Sequence, residues 1–140
     1  VDKEGRLWHL GAEMTHQGIN QLIMDHVELD DQGRYVITFR NQRCFVEVED
    51  TFFVVRDLDA YLDDSGHLAT LTITLSDGSR ENLEPGALYQ NQDHVMYTRV
   101  KGGRFPARFL RSSYYRLAQY VTEKDGRIIL TVNGRDYDLS

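Results

Sequence analysis

The sequence predicts an α+β fold made of two similar units, each a strand, a helix and an antiparallel hairpin. Three observations predict it. Short runs such as Leu68–Leu75 alternate apolar residues with threonine, as half-exposed strands do. Two segments carry apolar residues at helical spacing: Ile19, Leu22, Ile23, His26 and Val27 in one, and Tyr114, Leu117, Ala118 and Val121 in the other. Each of these is followed by a Gly-Arg turn and a hairpin. Asp31-Gln32-Gly33-Arg34 leads into Tyr35-Val36-Ile37-Thr38, and Asp125-Gly126-Arg127 leads into Ile128-Ile129-Leu130-Thr131. Matched spacing of this kind suggests an internal duplication.

The elements follow in order. Glu4-Gly5 is a turn and Leu7-Trp8-His9-Leu10 a short strand. Thr15 is a candidate cap for the first helix, which Asp30-Asp31-Gln32-Gly33 ends. Arg34–Arg40 and Arg43–Glu49 form a hairpin. With Asn41-Gln42 as its loop, Tyr35, Ile37, Phe39, Cys44, Val46 and Val48 share a core face. Phe52-Phe53-Val54-Val55 is a continuous apolar run, suited to a strand buried on both sides. The polar stretch Asp57, Asp59, Asp63 and Asp64 places a domain boundary near Arg56. This gives an N-terminal α+β unit over 1–56 and a C-terminal one over 57–140, unless both share one core. After Leu68–Leu75, a three-residue loop with Gly78 third sets Leu83 beside Leu71. Pro85-Gly86 is a loop. Asn133-Gly134 is the strongest hairpin signal, joining Arg127–Val132 to Arg135–Leu139.

At 140 residues the chain is long enough to fold without a staple. Its single cysteine, Cys44, leaves no internal disulfide and suits a reducing, cytoplasmic setting. No apolar run reaches the ~20 residues of a membrane span. Residues 1–70 hold 6 basic and 14 acidic side chains, net −8, and residues 71–140 hold 10 and 8, net +2. The acidic first half argues against general nucleic-acid binding.

The charge that stands out lies between Asp93 and Glu123. That interval has no acidic residue and six basic ones: Arg99, Lys101, Arg104, Arg108, Arg111 and Arg116. With Gly102-Gly103 as a hairpin loop, Lys101 opposes Arg104, Arg99 opposes Pro106 and Tyr97 opposes Arg108. Alternation then puts Tyr97, Arg99, Lys101, Arg104 and Arg108 on one face, and Met96, Val100, Phe105, Ala107 and Phe109 on the other. Like charges set opposite one another are splayed into solvent or await an anion. Ser112 or Ser113 is a candidate cap for the second helix, which places Arg111 beside its start, where the free N–H groups favour negative charge.

The residues resemble a known family. Val48-Glu49-Asp50 with Phe53-Val54-Val55, then Val100-Lys101-Gly102-Gly103, then Ala107-Arg108 with Arg111, Tyr114, Tyr115 and Leu117, and a closing Asn133-Gly134 with Leu139, are similar to the bacterial domain-of-unknown-function family 1285. Gly5-Arg6-Leu7-Trp8 and Gly33-Arg34-Tyr35 fit it too, whereas Phe52 stands where the family usually has proline. The resemblance implies a duplicated α+β core whose C-terminal half is a small, curved antiparallel sheet with one helix, loosely like a pleckstrin-homology fold. It also implies a ligand site between the halves for a nucleotide-like molecule, and a part in signalling.

Catalytic patterns are poor. His9, His16, His26, His67 and His94 make no H-x-H or H-E-x-x-H spacing, so neither a metal nor another cofactor is expected. His26 reads as a hydrogen-bonded core histidine. Cys44 reads as a buried, inert thiol.

Three functions remain open. The first is a non-enzymatic regulatory module that binds an anionic small molecule. Arg99, Arg104, Arg108 and Arg111 would neutralise it, Trp8, Tyr97 or Tyr115 would stack on it, and Asp50 would complete the set. The second is a protein-interaction module that uses the basic hairpin face. The third is an enzyme built on Glu49, Asp50 and a histidine.

Overall fold

The computed structural model describes all residues, Val1–Ser140. The fold is α+β, as the sequence predicts, and divides into two compact units, Val1–Phe52 and Phe53–Ser140. The Phe53-Val54-Val55 run therefore starts the second unit. No helix is long and apolar enough to cross a membrane.

In the first unit, β1 (Trp8–His9) and β2 (Ala12–Glu13) form a small hairpin ahead of helix α1 (Gln17–Asp25). His16, not Thr15, caps α1: its Nδ1 accepts the Ile19 N–H at 3.2 Å. At the other end the His26 ring donates from Nδ1 to the Leu22 carbonyl at 2.7 Å and sets its edge against Phe39. This is the hydrogen-bonded histidine expected. Met24 is the buried residue of the helix, while Ile19 and Leu22 of the expected apolar face are exposed.

An antiparallel sheet follows, in the order β3 (Val27–Leu29), β4 (Tyr35–Phe39), β5 (Gln42–Val46). The β4–β5 loop is Arg40-Asn41, both with positive φ (53° and 48°), so Phe39 pairs with Gln42. The register is shifted by two residues from the one expected with an Asn41-Gln42 loop. A two-residue turn of this type needs both residues left-handed, and Asn tolerates that better than Gln. A shift of two preserves alternation, so Tyr35, Ile37 and Phe39 still share a face with Cys44 and Val46. Cys44 itself is exposed rather than buried.

The two Gly-Arg motifs of this unit are one loop used twice. Asp2 Oδ1 accepts the N–H groups of Glu4 and Arg6, and Oδ2 accepts Arg6 Nε at 2.8 Å. Asp30 does the same for Gln32 and Arg34. Gly5 and Gly33 supply the positive φ that closes each loop. The backbone and side-chain bonds from Arg34 hold the Asp30 carboxyl below its ordinary range. Partial burial pushes the Asp2 carboxyl up, but the bonds from Trp8, Arg6 and Glu4 outweigh it and leave it lowered.

The second unit is organised on β6 (Phe53–Leu62), whose first three residues are completely buried. The six-stranded sheet runs β8 (Arg80–Asn82), β7 (Leu68–Leu75), β6, β11 (Phe105–Phe109), β10 (Met96–Val100), β9 (Tyr89–Gln90). It is mixed rather than purely antiparallel, because β6 and β11 pair in parallel, Val54 beside Arg108. The strand also continues through Asp57 and Asp59, part of the polar stretch from which the sequence placed a boundary near Arg56. Both carboxylates are matched there: Asp57 by Arg116 at 3.2 Å and Asp59 by Arg80 at 2.8 Å. The Ser76-Asp77-Gly78 loop is the three-residue one expected, and Leu83 N–H bonds to the Leu71 carbonyl.

Helix α2 (Arg111–Ala118) follows β11 directly, and β12 (Val121–Lys124), β13 (Arg127–Val132) and β14 (Arg135–Asp138) form an antiparallel sheet after it. Leu110 is the N-cap, so the helix starts two residues before Ser112 would place it and three before Ser113 would. Ser113 is instead buried, its hydroxyl donating to the Val55 carbonyl at 2.7 Å. The succession of helix and three-stranded sheet thus occurs in both units, though the turns differ. Asp30–Arg34 is the five-residue loop described above, whereas Asp125-Gly126 is a two-residue hairpin turn with Lys124 opposite Arg127.

Candidate functional site

The β10–β11 hairpin has the register the sequence predicts, but pairing ends at Val100 and Phe105, so the turn is Lys101 to Arg104 rather than Gly102-Gly103 alone and Lys101 does not pair with Arg104. Tyr97 pairs with Arg108, Arg99 with Pro106 and Val100 with Phe105. Met96, Val100, Phe105, Ala107 and Phe109 are buried on one face. Arg99, Arg104 and Arg108 belong to the other, Arg108 half-buried and the first two exposed. The turn between the strands runs left-handed through Lys101, Gly102 and Gly103, with φ of 57°, 71° and 82°. Its carbonyls accept from the flanking arginines: Arg99 Nε donates to Gly103 O at 3.0 Å, and Arg104 Nε to Lys101 O at 3.1 Å. One edge of each guanidinium is fixed in this way at the hairpin tip. Arg104 also stacks its guanidinium 5.3 Å from the Phe105 ring centre.

Lys101 does not join them. Its Nζ reaches Asp77 Oδ2 at 2.6 Å and Ser79 Oγ at 2.9 Å, and it sits 5.3 Å from the Phe53 ring centre. The Asp77 side chain is only 5% exposed. Burial pushes its carboxyl up, but the bonds from Lys101 and Ser79 outweigh that and hold it below the ordinary range. Lys101 is therefore consumed in tying the hairpin tip to the β7–β8 loop.

Tyr97 is buried. Asn91 Nδ2 donates to its hydroxyl at 3.3 Å, and its ring stacks on Tyr89, centres 5.3 Å apart and planes 13° from parallel. Tyr89 lies on β9 opposite Tyr97 and is 41% exposed. The aromatic surface accessible beside the hairpin is thus Tyr89. The sequence reading missed it because a two-residue strand after Pro85-Gly86 carries no periodicity.

Arg111 is the first residue of α2 and is exposed, and Tyr115 lies one turn on along the same helix face, 59% exposed. Arg116, by contrast, is used structurally: it pairs with Asp57 and donates to the Leu58 carbonyl. The remaining two expected residues belong to the first unit. Trp8 is 46% exposed, donates Nε1–H to Asp2 Oδ2 at 2.8 Å, and borders an open cleft of about 1010 Å³. Asp50 is half-buried near the end of that unit. Glu49 and His9 border the same cleft as Trp8. No group of three or more His, Cys, Asp or Glu side chains is arranged to hold a metal ion.

Comparison with known proteins completes the description. No family model matches the chain, and no curated protein matches it. Two solved structures do. One is a DUF1285 family protein from Silicibacter pomeroyi DSS-3, with a TM-score of 0.78 at 20% identity, covering 99% of this chain and 76% of that one. The chain has the DUF1285 fold. A second DUF1285 family protein, from Shewanella baltica OS155, matches with a TM-score of 0.66 at 17% identity, over 84% of this chain and 87% of its own. The family resemblance read from the sequence is borne out in fold. The Gly-Arg motifs that carried part of it are the aspartate-anchored loops described above. The DUF1285 fold does not by itself assign a ligand.

Proposed function

We propose that this protein is a non-enzymatic module that binds an anionic, phosphate-bearing small molecule on the cationic face of the β10–β11 hairpin and the start of α2. One observation carries the reading. The other cations of this basic stretch with a structural task are paired, Lys101 with Asp77 and Arg116 with Asp57, whereas Arg99, Arg104 and Arg111 have no acidic partner. Hydrogen bonds to the turn carbonyls pre-orient two of these three guanidiniums, which lowers the entropy lost on binding. Tyr89, stacked on Tyr97 beside the hairpin, and Tyr115, one turn along α2 from Arg111, supply exposed rings for an aromatic portion of a ligand. A nucleotide-like ligand and a role in signal transduction are the finer form of this proposal.

A thermal-shift panel tests it, with inorganic phosphate, sulfate, and mono-, di- and cyclic nucleotides on the wild type and on Arg111→Ala. A ligand at 100 times its Kd adds about 2.7 kcal/mol, on the order of 5–11 °C for a chain near this size. A shift of that size that is lost in the variant supports the proposal. A flat panel refutes it and favours the second reading, a salt-sensitive protein-docking face, for which the same unpaired arginines are the observation.

A further inference from the structure

Strand β5 is an edge strand of the β3–β4–β5 sheet, and its whole length, Gln42 to Phe45, is exposed up to half-buried Val46. In a hairpin with a two-residue loop the flanking residues, here Phe39 and Gln42, exchange backbone bonds. Gln42, Cys44 and Val46 thus face β4 with their N–H and C=O groups, while Arg43 and Phe45 point theirs outward. Further along, the Glu47 carbonyl accepts from Val1 N at 2.7 Å and the Glu49 N–H donates to the Val1 carbonyl at 2.9 Å. The part of the edge with no backbone partner is Arg43 and Phe45, the Phe45 carbonyl accepting only from the Cys44 thiol at 3.6 Å. Beside it lies the 1010 Å³ cleft, bordered by six consecutive residues, Cys44 to Glu49. Ile23 of α1 and Ile37 of the central strand β4 line it too, so it lies against the face of the sheet that carries Ile37 and Cys44, and the edge at Arg43 and Phe45 is a separate feature.

We propose that β5 pairs antiparallel with β5 of a second copy of this chain across a two-fold axis at Cys44. Only a register that sets outward groups against outward groups forms the ladder. The one centred on Cys44 uses the open residues alone, with Arg43 opposite Phe45 of the second copy and Cys44 opposite Cys44 of the second copy. Self-pairing brings a strand against its own charges, and like charges directly opposite are destabilising. Here β5 differs from the other edge strands of three or more residues. β3 carries Glu28, β8 Glu81, β12 Glu123 and β14 Asp136 and Asp138, whereas β5 has no carboxylate, no lysine, no proline and no bulge. Its one charge, Arg43, meets an aromatic ring rather than another Arg43. Phe45 already accepts a guanidinium within the chain, with Arg34 4.4 Å from its ring centre.

The test is the mass of the full chain by sedimentation equilibrium over a concentration series, under reducing conditions, for wild type, Phe45→Pro, Cys44→Asp and Cys44→Ser. Proline at 45 removes an N–H that β4 does not use, and aspartate at 44 meets itself across the axis. We expect twice the monomer mass for wild type and Cys44→Ser, and the monomer mass for Phe45→Pro and Cys44→Asp with unchanged circular dichroism. Opposed non-hydrogen-bonded residues have Cα atoms about 4.5 Å apart, within the roughly 4.4–6.8 Å that a disulfide spans. Copper(II)–phenanthroline, two equivalents of which each accept one electron as the two thiols lose their protons and form the S–S bond, should therefore link wild-type dimers through Cys44. A monomer at every concentration overturns the proposal and leaves this edge to a different chain. A dimer that survives both Phe45→Pro and Cys44→Asp, or that does not cross-link, overturns it as well and places the contact on another face.

Discussion

Lys101→Ala removes the tie between the hairpin tip and the β7–β8 loop, and its cost follows from the geometry. Lys101 Nζ lies 2.6 Å from Asp77 Oδ2 and 2.9 Å from Ser79 Oγ, with side chains 24% and 5% exposed for Lys101 and Asp77. Losing a hydrogen bond to a charged group costs about 1.5–3 kcal/mol, and the contact with the Phe53 ring adds about 0.5–1. Removing one partner of a fully buried pair costs about 3–5 kcal/mol. Because Lys101 is one-quarter exposed, about 2–4 kcal/mol is expected, on the order of 10 °C in Tm for this length. The effect depends on pH. The folded Asp77 carboxyl is lowered from 3.8, so it holds fewer protons folded than unfolded. Its contribution to stability is full above 3.8 and is lost as pH falls through the lower folded value. Without Lys101 the Ser79 bonds to this carboxyl remain, but they no longer have the ammonium beside them against the effect of burial, so the variant's Asp77 takes up its proton at a higher pH than the wild type's and acid relieves the variant first. The deficit of Lys101→Ala should therefore be widest at neutral pH and narrow in acid. Urea unfolding of wild type, Lys101→Ala, Asp77→Asn and the double variant at neutral and acid pH measures both the deficit and the coupling between the two residues. Equal deficits at both pH values, or no coupling, would refute the reasoning.

Two further predictions concern the backbone. Leu10 is 93% exposed and held at φ 50° in the loop between β1 and β2, a conformation that costs a side chain with a branched body about 1–2 kcal/mol. Leu10→Asn should raise stability by about 1 kcal/mol, read as a higher urea midpoint at unchanged m, and a lower midpoint would show that the leucine contributes packing there. Ser113→Ala removes a buried hydroxyl bond to the Val55 carbonyl while the Leu110 N–H still reaches that carbonyl at 3.2 Å, so the loss should be about 1 kcal/mol. Helix content by circular dichroism should not change, because Ser113 does not cap α2. A drop in helicity would contradict this.

Much of the fold was legible in the sequence because turn chemistry and strand alternation act over a few residues. Asn133-Gly134, the three-residue loop ending in Gly78, and the Gly102-Gly103 turn set the registers of three hairpins. They also settled in advance which residues of β10 and β11 face the core. A local rule failed at Arg40-Asn41, where two overlapping dipeptides compete for one turn and left-handed strain chooses between them. What only the tertiary structure decided depends on which distant segments become neighbours. The parallel pairing of β6 with β11 joins residues more than fifty positions apart, and nothing in either strand announces the other. Asp57 and Asp59 read as a polar stretch beside a domain boundary until Arg116 and Arg80 are brought alongside, and Ser113 reads as a cap until the Val55 carbonyl is placed against its hydroxyl. The same holds for the candidate site. The sequence marked a block of cations, but only the fold separates Lys101, drawn to Asp77, from Arg99, Arg104 and Arg111, and sets Tyr89 against Tyr97. A side chain's periodicity follows from its own strand, whereas its ion pairs follow from strands that chain topology has carried to it.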